Sequence, residues 1–137
     1  FVSYQRAVVA NARLLASELQ RGGLRIVSGG TDNHLMLVDL RNLGITGKAA
    51  EEALEGVGII ANRNAIPFDS RPPQVTSGIR LGTPAVTTRG FGQAEIKRIA
   101  QLIIKVVTNI GDEKTYREAR QEVEDITSRF PVPGLSP

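Results

Sequence analysis

Cysteine and tryptophan are both absent from this 137-residue chain. Without thiols there is no disulfide framework, no thiolate nucleophile and no cysteine-based metal site. That fits a reducing, cytoplasmic setting. There is a single histidine, His34. With no second imidazole or thiolate to join it, a metal site is not expected, and His34 reads as a hydrogen-bonded structural residue at the entrance to a strand. Aromatic residues make up only 4% of the chain, so the core has to be aliphatic, and the stacking platforms used by single-strand nucleic-acid binders are missing. The net charge of +3 is a mild excess that could assist anionic ligands. Two RGG-like fragments, at Arg21 and Arg89, fall where a helix should end and where one should begin, so they read as caps. No apolar run approaches the roughly 20 residues of a membrane span. The amphipathic, charge-bearing start is not a signal peptide. With no initiator methionine, the chain is expected to be a piece of something longer.

An apolar fraction of 41% is enough for one real core, and the length suits one domain. Val8, Ala12, Leu15 and Leu19 recur at helical spacing, and Gly22-Gly23 stops that helix. Residues 24–27 form a short strand candidate. After the turn chemistry of Ser28-Gly-Gly-Thr-Asp-Asn33, Leu35-Met-Leu-Val-Asp-Leu40 reads as a strand covered on both faces, antiparallel to the first. Thr46 is an N-cap candidate for a helix to about Gly56, and Ile59-Ile60 is a small strand candidate. The stretch 62–76 carries three prolines and reads as a long loop, uncommon in a compact domain unless it has a function. A strand around Arg80 follows. Gly92, Glu95, Phe91 and Ile96 stand as N-cap, N3 residue and hydrophobic staple of the next helix. That helix buries Ile96, Ile99, Ile103, Val106 or Val107, and Ile110. Asp112 can cap a last helix carrying Tyr116, Val123, Ile126 and Phe130. The reading is one α+β two-layer sandwich over residues 1–130, with three or four short, mainly antiparallel strands and four helices, followed by a Pro-rich tail at 131–137.

The strand Gly78-Ile-Arg-Leu-Gly82 puts Ile79 and Leu81 on one face and Arg80 on the other. An arginine there is most often an ordinary surface residue. It is also well suited to hold a carboxylate, because its planar fork donates two parallel hydrogen bonds. Two phosphate motifs fail. Gly44-Ile-Thr-Gly-Lys48 has Asn42 for the first P-loop glycine and Ala49 for the magnesium-binding hydroxyl. Gly56-Val-Gly-Ile-Ile-Ala61 follows a helix instead of a strand. The lysines, Lys48, Lys97, Lys105 and Lys114, all fall in predicted helices, not in the apolar or cationic pocket a Schiff-base lysine needs.

The blocks Ser77-Gly-Ile-Arg-Leu-Gly-Thr-Pro-Ala85 with Thr87-Thr-Arg-Gly-Phe91, Ser28-Gly-Gly-Thr-Asp-Asn-His-Leu35 with Val38-Asp-Leu40, and Thr46-Gly-Lys-Ala-Ala-Glu51 with Asn62-Arg-Asn-Ala-Ile-Pro67 resemble the C-terminal part of serine hydroxymethyltransferase, in the family's order and spacing. The resemblance runs from about Tyr4 to Pro131. It implies the small C-terminal domain of a fold-type I pyridoxal-phosphate enzyme. That enzyme moves the one-carbon unit of serine onto tetrahydrofolate and leaves glycine. It further implies that Arg80 grips the amino acid's α-carboxylate and that Asn64, before Ala-Ile-Pro, contacts the folate. His34 and Arg89 would be structural residues near the site. Pyridoxal phosphate and its lysine belong, by the same resemblance, to a large domain of the parent chain. No catalytic residue is expected in this stretch, which should be inactive alone. The implied parent is a cytoplasmic homodimer with no membrane or nucleic-acid partner. A stand-alone binding module for carboxylates or nucleic acid is the competing reading.

Overall fold

The computed structural model describes residues 2–27, 35–82 and 90–130. Helix α1, Val2–Arg21, buries Val8, Ala12, Leu15, Ala16 and Leu19 and leaves Arg6 and Arg13 outside. It ends in a Schellman motif. Gly23 has φ +98°, the N–H of Leu24 donates to the carbonyl of Leu19, and that of Gly23 to Gln20. This satisfies two orphan carbonyls while Leu24 packs back onto the core.

The chain continues through β1 (Arg25–Ile26), β2 (Leu35–Asp39), a 3-10 turn (Arg41–Leu43), α2 (Gly47–Gly56), β3 (Asn62–Asn64), β4 (Gly78–Gly82), α3 (Gln93–Val107) and α4 (Glu113–Arg129). The caps fall where their residue types ask for them. The Thr46 hydroxyl accepts from Ala49 N–H at 3.0 Å, the Gly92 N–H donates to Glu95 Oε1 at 2.7 Å, and Asp112 accepts from Lys114 N–H.

The sheet order is β1-β2-β4-β3, every pair antiparallel. Helix α1 packs against β1 and β2, α2 packs against β3 and β4, and α3 lies against α1, α2 and α4. Ile26, Met36, Val38, Ile79 and Leu81 join the helices in one aliphatic core, each fully buried side chain contributing about 1.5–3 kcal/mol. Phe91 and Phe130 meet edge to face at 4.9 Å.

The structure differs from the sequence expectations in four places. Among the described residues, helices cover only one face of β2: Met36 and Val38 are buried there, whereas on the other face Leu35 is 41% exposed, Leu37 half-buried and only Asp39 buried. The apolar run was right about strand, but no described helix lies over its second face. Ile59-Ile60 is not a strand. Gly58 at φ +91° terminates α2, Ile59 turns into the core, and Ile60 is 77% exposed. The strand comes two residues later, in Asn62–Asn64, the opening of what reads as a loop. Ile110 lies beyond the end of α3 and is 38% exposed.

Candidate functional site

The register fixes which side chains share the bare face of the sheet. Leu37, Arg80 and Asn62 are direct partners across β2, β4 and β3, and Asp39, Gly78 and Asn64 form the adjacent row. Residues two apart on a strand face the same way. Asn64 and Arg80 therefore lie on one face as diagonal neighbours, a relationship that spans about 7–8 Å between backbones. Arg63, between the two asparagines, turns to the helix side. There its N–H and guanidinium bind the Glu51 carboxylate, with Nη2 2.8 Å from Oε1.

Arg80 is exposed. Among the described residues its guanidinium has no ion pair or hydrogen bond, in contrast to Arg41 on Asp39 and Arg63 on Glu51. Asn64 is half-buried, and its Nδ2 donates to the carbonyl of Ala65 at 2.9 Å, leaving its amide oxygen without a partner among the described residues. His34 and Arg89, with the turn residues Asp32 and Asn33, lie outside the described residues, as does the tail.

The 65–77 loop between β3 and β4 is more built than its prolines suggested. Asp69 organises it. Its Oδ2 accepts from Ile66 N–H and Ser77 N–H at 3.3 and 2.8 Å, and its Oδ1 from Arg71 N–H and the Ser77 hydroxyl at 3.0 and 2.8 Å. Arg71 in turn donates to the Ile45 carbonyl and to Ser77 Oγ. The return of the loop is docked on the start of α2, where the N–H groups of Gly47 and Lys48 donate to the carbonyls of Thr76 and Val75. With Ala49 on the Thr46 hydroxyl and Ala50 on the Thr46 carbonyl, the first-turn donors of α2 are all engaged. They are not free to cradle a phosphate, which agrees with the failed P-loop pattern.

At the outer end of the sheet an open cleft of about 540 Å³ is lined by Arg25, Asp39, Arg41, Pro67 and Phe68 among others. Phe68 is fully exposed and has φ +58°. Arg80 and Asn64 are not in the wall of this cleft.

Sequence reasoning missed Asn62, Asp69 and Ser77. The signal for Asp69 was present: an aspartate two residues before an N–H in a Pro-rich loop is an Asx-turn former.

Among the described residues three carboxyls titrate low. The Arg71 N–H, followed by the Ser77 hydroxyl and N–H and the Ile66 N–H, holds Asp69 well below the usual carboxylate range against the cost of burial. The Arg41 side chain lowers Asp39, and the Thr115 hydroxyl lowers Asp112. A depressed folded value means stabilisation that is complete above the unfolded value of about 3.9 and is lost as pH falls toward the folded one. The thermal midpoint is therefore expected to hold level from about pH 7 to 5 and to drop below about pH 4, by less in Asp69→Asn. A midpoint unchanged down to pH 2 would contradict these networks.

The four lysines lie in helices. Lys48, Lys97 and Lys114 are exposed, and Lys105 is half-buried with its Nζ 3.8 Å from Glu118. None has the apolar enclosure of a Schiff-base lysine, so none of the four fits as the lysine that would hold pyridoxal phosphate. Among the described residues no group of three or more His, Cys, Asp or Glu could hold a metal ion, and no described helix is long and apolar enough to cross a membrane.

What these features define is a two-layer α+β domain with one helix-covered sheet face and a second face on which, among the described residues, no helix lies and the Arg80 guanidinium is unengaged beside amide side chains. The family model described as serine hydroxymethyltransferase matches residues 1–103. The chain belongs to the serine hydroxymethyltransferase family, whose members are transferases of serine and glycine one-carbon metabolism that work with pyridoxal phosphate and folate.

Proposed function

We propose that this chain is the C-terminal substrate-binding domain of a longer serine hydroxymethyltransferase. In that enzyme Arg80 holds the α-carboxylate of serine or glycine, and Asn64 contacts the tetrahydrofolate ring system. The observation that carries the reading is Arg80 itself: exposed on the bare face, without a described partner, and the diagonal neighbour of Asn64.

The chemistry follows from the groups. A guanidinium that clasps both carboxylate oxygens fixes the substrate's plane as well as its charge. That decides which bond at Cα is aligned for the reaction, a matter of orientation. An amide offers a donor and an acceptor to the mixed pattern of a pterin edge. The half-exposed side of β2, with Leu35 and Leu37 next to Arg80, supports a further part of the reading: that face is covered in the parent by the large domain carrying the cofactor and its lysine. Residues 1–130 then form one domain with the tail beyond it, and the chain by itself turns over no serine.

The test is a glycine titration of the full-length protein with Arg80 intact and replaced, read from the absorbance of the bound cofactor. Equal affinities would remove Arg80 from the role.

A further inference from the structure

We infer that Asp69 is a positioning residue for this site: its carboxylate locks the register that brings Asn64 and Arg80 onto one face. The inference rests on the functional reading above. The physical problem is that β3 has only three residues, too short a ladder to fix its own register. A one-residue slip would turn Asn64 toward the helices, because side chains alternate with a period of two. The strand is also polar, so apolar burial cannot choose the register for it.

Two carboxylates take over that task. Glu51 grips the middle of β3 from the helix side, through the N–H and guanidinium of Arg63. Asp69 acts at the end where the chain leaves the sheet. Its Oδ2 alone bridges Ile66, two residues after Asn64, and Ser77, the residue before Asn64's partner Gly78. Its Oδ1 holds the Ser77 hydroxyl and the Arg71 N–H. Arg71 ties the same loop to the segment before α2 through the Ile45 carbonyl. Asp69 touches neither the proposed carboxylate site nor Asn64, and acts through the backbone of both strands. Arg80 lies three residues beyond Ser77 on a five-residue strand paired along its length with β2. Asn64, with the shorter ladder, is the more dependent of the two.

The test uses the full-length enzyme. Asp69→Asn keeps the side-chain shape and replaces one accepting oxygen by an amide NH2 that donates and cannot accept. The dissociation constant of tetrahydrofolate, read by calorimetry in the presence of glycine, is expected to rise about tenfold, the scale of one lost hydrogen bond at Asn64. That of glycine should rise by less, and kcat at saturating substrates should stay within about threefold. Asp69→Asn combined with Asn64→Ala is expected to cost less than the sum of the two single effects, as residues acting through one another do.

Additive effects, or folate affinity equal to the parent's, would overturn the inference. If Asp69→Asn does not yield folded holoenzyme, Ser77→Ala takes its place; it removes one of the four bonds to Asp69 together with the contact from Arg71 to the Ser77 hydroxyl. Its expected rise is about threefold, and an unchanged affinity counts against the inference in the same way. Asn64→Ala and Arg80→Ala measured alone separate the two layers. If both weaken their ligands while Asp69→Asn does not, Asp69 loses its role and the functional reading stands. If neither weakens its ligand, the functional reading fails and takes Asp69 with it.

Discussion

Glycine binding to the full-length enzyme is expected to weaken about a hundredfold in Arg80→Ala, with the cofactor still bound. The size follows from what is lost: a charge-assisted bidentate contact of roughly 3 kcal/mol, at about 1.4 kcal/mol per factor of ten. Among the described residues little is available to replace it. The direct neighbours of Arg80 in its row are Leu37 and Asn62, and neither carries charge. The next guanidinium on β3, that of Arg63, points to the helix side and is held by Glu51. No described partner is orphaned by the deletion, since Arg80 has none, so the fold should be nearly indifferent to it. Surface substitutions of that kind stay within about 0.5 kcal/mol. Arg80→Lys is the sharper variant. It keeps the charge and loses the fork, and should recover only part of the affinity. A lysine variant as tight as the parent would mean that charge alone is read there, and the orientation argument would have to be dropped.

How far the sequence announces all this can be followed residue by residue. The helices were legible because their apolar stripes are long and their ends carry specific chemistry: Thr46, the Gly92 and Glu95 pair, Asp112, and glycines at 23 and 58. Arg80's outward direction was legible from strict alternation with Ile79 and Leu81. β3 was not, because asparagine is disfavoured in strands and the partners that make a strand of Asn62–Asn64, namely β4 and Glu51, are remote in sequence. The bare face of β2 was not legible either. A continuous apolar run says that both sides of a strand avoid water, but not that the cover belongs to the same stretch of chain. At Asp69 the Asx-turn to Arg71 was legible, but the rest of its network escaped for a related reason. Hydrogen bonding by one carboxylate to residues 66, 71 and 77 is a property of a closed loop, and spacing alone does not reveal closure.

Gly47→Ala is expected to be the most damaging small substitution in the domain, although φ there is not the reason. An added Cβ would sit 2.1 Å from Thr76 Oγ1 and 2.2 Å from the Gly78 carbonyl oxygen. Neither can yield cheaply. Thr76 is buried at φ +58°, with its hydroxyl donating to that same Gly78 carbonyl. Gly78 is wedged in turn, since a Cβ of its own would meet Ile66 Cγ2 at 2.7 Å and the Val38 and Asn64 carbonyl oxygens at 2.8 and 2.9 Å. Relief therefore requires the start of α2 and the loop entering β4 to part, stretching the hydrogen bonds from Gly47 to Thr76 and from Lys48 to Val75. Overpacking of this kind costs about 3 kcal/mol, which for a domain of this size corresponds to a fall of about 10 °C in the thermal midpoint. Thr76→Gly in the Gly47→Ala background should recover part of the loss. It removes the hydroxyl and relaxes a left-handed threonine, but the Gly78 carbonyl remains in the way. Because the strand entered at this knot carries Arg80, the same substitution should also loosen glycine binding in the full-length enzyme. A midpoint lowered by less than about 2 °C would show that helix and strand separate at little cost, and that the position of Arg80 is set by β2 alone.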